Sequence, residues 1–325
     1  DGVAYRVTVG IGIAGIDADA GDAQAVLRCA DEVCYCAKKQ GGDRVVVCGQ
    51  DAFSDSVAVL HERADLDIAQ RLTQERNYLL YSQPIYRADS ASAVPQRCEI
   101  LLRIQDRKGG VITPDQFLPI AHRHGLEIGL DQWVVANTAA AWAARRTTGD
   151  NTPLECFVNL SRASIEAAAA TADYVAGVLE KWRIPPGVLC LELKERDVLD
   201  CRQDASHLIR QLHRRGVHFA LDAVGEGLYS LGYLKNLPVD YIKVSAGATL
   251  QAEGDAFYGA FLDALANVSR SLGIALVGVG AESEHILDRF GAYQMAYLQG
   301  HALSLPAPFP MAPPHLQGVP GMEPH

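Results

Sequence analysis

Short apolar segments alternate with helical segments from about residue 76 onward, and this alternation restricts the fold more than any other feature of the sequence. The apolar segments include CFVNLS, VLCLELKE and YIKVS. The intervening segments carry apolar residues at helical spacing, as in Leu130–Arg146 and Asp255–Leu272. Apolar strands joined by helical crossovers form a parallel sheet that is covered on both faces. The alternation therefore predicts an α/β protein, with a TIM-type (β/α)8 barrel over residues 76–308.

The residues before and after the barrel have different patterns. Residues 1–50 predict a strand at Arg6–Ala14, a helix at Ala23–Lys39 and an edge strand at Arg44–Cys48, which together are too small to bury a core. Residues 51–75 predict a linker helix with one apolar side. The proline-rich residues 309–325 predict a disordered tail.

Composition limits the classes of partner. The formal net charge of −10 disfavours sequence-independent binding of nucleic acid. Apolar runs are shorter than the ~18 residues that a membrane span needs, so we expect no membrane span. The eight cysteines lack the spacing of a disulfide framework. We therefore expect reduced thiols in a cytoplasmic protein.

Polar residues interrupt or end several of the predicted strands. In a TIM-type barrel the chemistry lies at the carboxyl ends of the strands, so these residues predict the site. One reading is a site for a hard cation such as magnesium, manganese or calcium, because four strands each offer an oxygen ligand: Glu99, Asn159, Glu192 and Asp222. The other reading is a set of buried salt bridges, to which Arg103 and Lys243 would contribute.

Several motifs resemble those of EAL-type cyclic-di-GMP phosphodiesterases, in order, over roughly residues 76–306. The signature E-A-L-L-R corresponds to Glu99–Arg103, and V-N-L-S is intact at Val158–Ser161. E-I-T-E corresponds to Glu192–Glu195, L-P-V-D-x-L-K-I-D to LPVDYIKVS, and Q-G-Y-x-F-S-K-P to QGHALSLP. Upstream, GIGIA and ADEVCYCAKKQGGDRV resemble the last part of a GGDEF diguanylate-cyclase domain. The resemblance thus implies an α/β GGDEF fragment, without the half that carries its nucleotide site, followed by an EAL barrel.

The resemblance implies a catalytic site that is only partly kept. It assigns a first Mg²⁺ or Mn²⁺ ion to Glu99, Asn159, Glu192 and Asp222, with Lys243 and Glu195 as vestigial catalytic residues. The carboxylates expected for a second ion are replaced by Ala223, Ser245 and Val279, which are poor or absent ligands. Glu195 would hold the loop after Asp222, but we expect an acidic Glu226 in that loop to repel it.

Residues for ligand recognition are better kept according to the same resemblance. Arg103 would grip a phosphate and Lys243 would act as a point charge. The remaining contacts to the guanine edges and the bases would come from Gln83, Leu101, Asp131, Glu282, Gln299 and Pro306. Two alternatives stay open: Asp131 could cap a helix and Leu101 could belong to the core. His122 and His124, two apart on a helix, face different directions and predict surface residues.

Three hypotheses follow. The first is a degenerate EAL receptor of the FimX type, which binds cyclic-di-GMP and passes its occupancy to an unidentified protein partner or to the attached segments. The second is a weak metal-dependent phosphodiesterase that linearises cyclic-di-GMP. The third is an interaction scaffold that binds no nucleotide. A homodimer is one candidate assembly, and nucleic acid is not an expected partner.

Overall fold

The computed structural model describes residues 9–16, 23–39, 44–48, 68–75, 77–89, 94–106, 109–147, 149–150, 152–225 and 229–310. The chain divides between Glu75 and Arg76 into two compact units. None of the described helices is long and apolar enough to cross a lipid bilayer.

The first unit contains a β-α-β arrangement. Strands β1 (Gly10–Ile13) and β2 (Arg44–Val47) are parallel, with Gly10 opposite Arg44, and helix α1 (Ala23–Lys39) connects them. Gly12 faces α1 so closely that a Cβ atom there would collide with the backbone of Ala30 and Cys34. Residues 68–70 form a helical turn that continues into the π-helix Arg71–Glu75. The rest of the predicted linker helix and residues 1–8 of the chain lie outside the described residues.

One expectation about the cysteines is wrong. Cys29 and Cys48 form a disulfide with their Cα atoms 6.2 Å apart, a normal separation for a disulfide. Spacing in sequence did not predict the pair because the βαβ fold brings the end of β2 beside α1. Five other described cysteines are free thiols: Cys34, Cys98, Cys156, Cys190 and Cys201.

The second unit is built from strands and helices in alternation. Its strands are β3 (Tyr78–Arg87), β4 (Arg97–Gln105), β5 (Val111–Ile112), β6 (Glu155–Asn159), β7 (Leu189–Lys194), β8 (His218–Asp222), β9 (Tyr241–Ser245), β10 (Ala275–Val279), β11 (Tyr297–Gln299) and β12 (Ala307–Pro308). Its α-helices are α2 (Pro114–Arg123), α3 (Glu127–Thr147), α4 (Arg162–Glu166), α5 (Ala168–Trp182), α6 (Glu195–Asp200), α7 (Arg202–His213), α8 (Ala246–Gly254), α9 (Ala256–Leu272) and α10 (Glu284–Ala292). A 3₁₀-helix spans Leu231–Asn236.

Within the described residues, eight strands close into a barrel in the order β3-β4-β6-β7-β8-β9-β10-β11, and β11 pairs back to β3. The predicted barrel is therefore confirmed. The direction of its first strand differs from the prediction, because β3 is antiparallel to both β4 and β11. The connection from Arg87 to Arg97 is too short for a parallel crossover, which takes about a dozen residues or more.

The carboxyl-terminal boundary of the barrel also differs from the prediction. β12 pairs with β3, and the next residue, Phe309, is buried and donates its backbone N–H to the carbonyl of Leu80 at 2.8 Å. Phe309 therefore packs with the barrel, although we placed it in a disordered tail. Residues 311–325 lie outside the described residues.

Candidate active site at the carboxyl ends of the barrel strands

The barrel interior is layered because side chains alternate along each strand. A buried apolar layer is formed by Ile85, Phe157, Cys190, Ala220, Tyr241, Val277 and Tyr297. Residues two positions nearer the carboxyl ends of the parallel strands face the same interior, as do residues two positions earlier on the antiparallel β3. Six of these are polar, namely Gln83, Asn159, Glu192, Asp222, Lys243 and Gln299, and the seventh is Val279. The fold thus brings six of the sequence-predicted polar residues into one layer.

An ion cluster forms the centre of this polar layer. The Nζ atom of Lys243 lies 2.7 Å from Oε2 of Glu99, and 2.9 and 2.8 Å from the two carboxylate oxygens of Glu192. Asn159 donates its Nδ2–H to Oε1 of Glu99 at 2.8 Å. The Lys243 side chain is 4% exposed and that of Glu192 is 0% exposed. The cluster is a buried salt bridge, as the second alternative predicted, and its two glutamates are also among the ligands predicted for a cation.

One ammonium cannot neutralise two buried carboxylates. Burial and the neighbouring Glu99 charge raise the pKa of Glu192 to about 8. Burial also acts to raise the pKa of Glu99. The charge of Lys243 and the hydrogen bonds from Lys243, Gln299 and Asn159 outweigh burial and lower that pKa. Burial acts to lower the pKa of Lys243, and the charges of Glu192 and Glu99 outweigh it and raise that pKa. The Lys243 ammonium thus favours the charged form of Glu99, whereas burial favours the protonated form of Glu192.

Two glutamine amides connect this cluster to the backbone. Gln83 donates its Nε2–H to the carbonyl of Ser304 at 3.0 Å, and this bond directs its Oε1 toward Gln299. Gln299 donates to that Oε1 at 3.0 Å and to Oε2 of Glu99 at 2.8 Å. The Oε1 atom of Gln299 is buried and has no hydrogen-bond partner among the described residues. A buried acceptor of this kind suits an N–H donor or a cation.

A cleft of about 250 Å³ opens beside the polar layer. It is lined by Gln83, Glu99, Asp222, Lys243, Val279, Gly280, Glu282, Gln299, Gly300 and His301. Glu282 and His301 are exposed at its rim. His301 was not predicted, although the histidine within QGHALSLP was a visible signal because it stands two residues after a polar residue that ends a strand.

The rim of the barrel beside β3 and β4 holds the predicted phosphate and base contacts. Glu99, Leu101 and Arg103 alternate along β4 and so share one face, and Leu101 lies opposite Tyr81 of β3. The Arg103 guanidinium lies 5.8 Å from the centre of the Tyr81 ring and donates to the Leu102 carbonyl at 2.9 Å. Sequence reasoning missed Tyr81, because β3 was not expected to run antiparallel to β4.

Pro306 precedes β12, which pairs with the same strand β3. Leu101, Arg103 and Pro306 are all partly exposed, whereas a core role for Leu101 would require burial. Burial lowers the pKa of Arg103 against the raising effect of Tyr81 and nearby carboxylates. Together these residues form an apolar and cationic rim.

Asp131 makes contacts inside the barrel wall. Its Oδ2 accepts hydrogen bonds from the backbone N–H of Ser161 at 2.8 Å and from the hydroxyls of Ser161 and Ser164 at 2.6 Å each. Ser161 is the N-cap residue of α4. Asp131 thus supports the start of α4, a neighbouring helix, and not the cap of its own helix α3. Burial raises the pKa of Asp131 to about 6, against the lowering effect of these hydrogen bonds.

Glu195 holds the start of the loop after β8, as the resemblance to the EAL family implied. Its Oε2 accepts the backbone N–H of Gly225 at 3.2 Å, and its Oε1 accepts the hydroxyl of Tyr233 at 2.5 Å. Burial and the hydrogen bond with Glu195 raise the pKa of Tyr233. Tyr233 was not predicted, since it lies on the 3₁₀-helix and no strand pattern indicates its position. Glu226, which we expected to repel Glu195, lies outside the described residues.

The three positions expected to lack second-ion ligands occupy the mouth of the site. Ala223 has φ +58°, a left-handed conformation that is unusual for alanine. The Ser245 hydroxyl accepts the backbone N–H of Ala248 at 3.2 Å and thereby caps α8. Val279 lines the cleft. Ser245 is therefore engaged in the fold, and the other two side chains carry no ligand atom.

The side chains of the polar layer fit the predicted metal ions only in part. Among the described residues, no three His, Cys, Asp or Glu side chains are grouped in a way that could hold a metal ion. The Lys243 ammonium lies between Glu99 and Glu192 and donates to both carboxylates. With the amide oxygens of Asn159 and Gln299, the donor chemistry still suits one hard cation if Lys243 moves. It does not suit a second ion.

The other sequence candidates lie apart from this site. His122 is 75% exposed and its Nδ1 lies 2.9 Å from Oε2 of Glu127. His124 is also exposed. Both histidines are therefore surface residues.

The closed barrel defines a TIM-type barrel protein. The polar layer at the carboxyl ends of its strands suits an anionic ligand or a cation. The sequence profile of the EAL domain matches residues 66–306, and the chain belongs to the EAL domain family.

Two curated proteins are among its relatives. The chain is 33% identical over 312 residues to the cyclic di-GMP phosphodiesterase PdeB of Shewanella oneidensis, a match that covers 94% of this chain and 35% of PdeB. It is 30% identical over 309 residues to the bifunctional diguanylate cyclase/cyclic di-GMP phosphodiesterase MucR of Pseudomonas aeruginosa, covering 93% of this chain and 43% of MucR. The chain thus spans less than half the length of these relatives.

Solved structures show the same barrel. The MucR phosphodiesterase in complex with c-di-GMP superposes with a TM-score of 0.68 at 28% identity, covering 75% of this chain and 98% of that one. The FimX EAL domain of Pseudomonas aeruginosa bound to c-di-GMP superposes with a TM-score of 0.65 at 23% identity, covering 75% and 96%. The second likeness concerns the fold alone.

Proposed function

We propose that the barrel binds cyclic-di-GMP at the carboxyl ends of its strands and acts as a receptor whose phosphodiesterase activity has been lost. The observation that carries this proposal is the state of the metal-binding positions. Lys243 neutralises Glu99, Ser245 caps α8, and Ala223 and Val279 offer no ligand atoms. A two-metal hydrolase needs both ions to generate hydroxide and to stabilise the leaving oxygen.

The rim and the cleft support binding of the ligand. Arg103 can donate paired hydrogen bonds to a phosphate, and Tyr81, Leu101 and Pro306 offer apolar surface to a base. The unpaired Oε1 of Gln299 is an acceptor for an N–H group of a guanine edge. These contacts require no metal ion.

The receptor proposal is tested by calorimetric titration of the chain with cyclic-di-GMP in the presence of a chelator. We expect binding, and we expect Arg103→Ala to weaken it by about 1.5–3 kcal/mol, the contribution of a hydrogen bond to a charged group. Lys181→Ala, which removes an exposed cation at the end of α5, is the matched control. An absence of heat at high micromolar ligand would favour the nucleotide-free scaffold instead.

A weak metal-dependent phosphodiesterase is the second candidate, favoured by the retention of Glu99, Asn159, Glu192 and Asp222. Those residues would hold one Mg²⁺ or Mn²⁺ ion, which supplies Lewis-acid stabilisation of a phosphate oxygen when bound. Turnover of cyclic-di-GMP in manganese at about 1 per second or faster would support this candidate against the receptor.

Repair of the second-ion positions separates the two candidates. The triple variant Ala223→Asp, Ser245→Asp and Val279→Glu should gain manganese-dependent hydrolysis, whereas single replacements should do almost nothing because such groups act as a unit. The fold tolerates the first two changes, since aspartate accepts a left-handed backbone and caps helices well. If the triple variant neither hydrolyses the ligand nor binds manganese more tightly, the loop after β8 explains the inactivity.

We also propose that residues 1–50 are the last part of a GGDEF domain. The matches to PdeB and MucR cover more of the chain than the barrel alone. Ile11, Ile13, Val45 and Val47 of the two-stranded sheet are 38–54% exposed, so one apolar face is uncovered. A longer chain that includes the preceding residues should slow hydrogen exchange in β1 and β2. Unchanged exchange rates would contradict this assignment.

A further inference from the structure

The outer surface of α7 and its C-cap residue carries a row of three arginines. Arg202, Arg210 and Arg214, with Gln203, Ser206 and His207, line an open groove of about 560 Å³. On a helix these residues fall within one continuous face, because their positions at 100° per residue span about 140°. The opposite side of α7 is buried through Ala205, Leu208, Ile209 and Leu212.

The hydrogen bonds of these arginines leave their charges without a carboxylate. Arg202 donates to the Leu199 carbonyl at 3.3 Å, Arg210 to the Asn236 carbonyl at 2.9 Å, and Arg214 to the Arg210 carbonyl at 3.1 Å. These bonds to backbone oxygens hold the guanidinium groups in place without neutralising them.

Other arginines near this helix are paired with carboxylates. Arg215, next to the groove, bonds Glu180 at 3.1 Å, and Arg162 bonds Glu166 and Asp200. The exposed carboxylate of α7 itself, Asp204, is not among the residues that line the groove. In a chain of net charge −10, these three cations, which have no carboxylate partner among the described residues, therefore form a basic surface.

The length of the row defines the partner. Arg202 and Arg214 are twelve residues apart, or about 18 Å along the helix. That length matches about six residues of an extended chain or three turns of a helix. A long polyanion or an anionic membrane would extend past the groove onto the rest of a chain whose net charge is −10, which disfavours its binding. A short acidic segment is confined to the groove.

We propose that the groove formed by Arg202, Ser206, Arg210 and Arg214 is a docking surface for a short acidic segment of a partner protein. The partner places two or three carboxylates at the spacing of the arginines, and each forms a paired hydrogen bond with a guanidinium. The groove is separate from the cleft beside the polar layer, because the two share no lining residue.

The test uses hexaglutamate as the probe and the full chain labelled with ¹⁵N. In amide NMR spectra at low salt we expect chemical-shift changes concentrated in residues 202–214 and a binding curve that weakens as salt is added. Arg210→Ala combined with Arg214→Ala should weaken the affinity by about tenfold or more, since two of three fully charged groups are lost. Circular dichroism and cyclic-di-GMP titration show whether the variant keeps its fold.

Arg215→Ala is the matched control, because it removes the same charge from the adjacent position but breaks an existing ion pair with Glu180. We expect it to change the affinity by less than about twofold. Equal weakening by both variants, or shifts spread over the whole surface, would reduce the effect to net charge and overturn the proposal. Arginine-dependent binding to phosphatidylserine vesicles without binding to hexaglutamate would assign the groove to a membrane and would also overturn it.

Discussion

Replacement of Lys243 by methionine tests how the buried cluster is balanced. Methionine keeps most of the volume of lysine and removes the ammonium that donates to Glu99 and Glu192. Burial and the charge of Glu99 raise the pKa of Glu192 to about 8, so Glu192 depends less on the ammonium than Glu99 does. The variant therefore leaves Glu99 as a buried charge without a cation.

The magnitude follows from protonating that carboxyl. The ordinary pKa of Glu99 is 4.5, so keeping it protonated in the folded state at a pH of about 7.5 costs about 4 kcal/mol, at 1.36 kcal/mol per pH unit. This agrees with the loss of about 3–5 kcal/mol of stability that is expected when one partner of a buried ion pair is removed. The folded variant then binds more protons than its unfolded state, so its stability falls as pH rises. At a pH of about 5.5 the deficit should shrink to about 1.4 kcal/mol.

The assay is urea unfolding of Lys243→Met and of the parent chain at both pH values, with Lys235→Met on the exposed face of the 3₁₀-helix as the control. Manganese should restore part of the lost stability, by about 2.7 kcal/mol at a concentration one hundred times its Kd, because the ion can replace the ammonium. A variant within about 1 kcal/mol of the parent at a pH of about 7.5 would refute the reasoning, since the carboxylates would then need no buried cation. A deficit that is equal at both pH values would refute it as well.

Three further predictions concern contacts around the site. Asp131→Ala should lower the free energy of unfolding by about 2–3 kcal/mol in urea titrations, while cyclic-di-GMP affinity stays unchanged. Asp131→Asn should lower it by about 1 kcal/mol or less, because asparagine keeps an acceptor. A loss of ligand affinity in both variants would return Asp131 to the ligand site. The hydrogen bond and charge of Glu155 raise the pKa of His218 against the effect of burial. The His218–Glu155 pair should therefore stabilise the fold fully below the ordinary histidine pKa of 6.5, and this stability should be lost as pH rises through the raised pKa. His218→Gln should flatten that pH dependence of the urea midpoint. Tyr233→Phe should destabilise the chain by about 1–3 kcal/mol, because the buried Glu195 loses a strong donor, and should speed hydrogen exchange in the loop after β8; unchanged exchange would mean that the loop is held without the phenol.

The strand ends of the barrel could be predicted from sequence because a strand has a period of two. Asn159, Glu192, Asp222 and Lys243 each follow an apolar stretch, and parallel strands bring their carboxyl ends to one rim. The resemblance to the EAL family then supplied their roles. The same reasoning did not predict the direction of β3, although the short connection from Arg87 to Arg97 contained the signal.

What the sequence by itself determined is therefore local: which segments are strands and helices, and which polar side chains end the strands. The tertiary structure decided which of those side chains meet. Lys243 and Glu192 are 51 residues apart, and Lys243 and Glu99 are 144 residues apart. No local pattern encodes such pairs, because closure of the barrel sets the distances between strands. For the same reason Asp131, which could have faced a ligand, supports Ser161 across 30 residues of sequence, and an ammonium lies between the two glutamates that the motifs assigned to a metal ion.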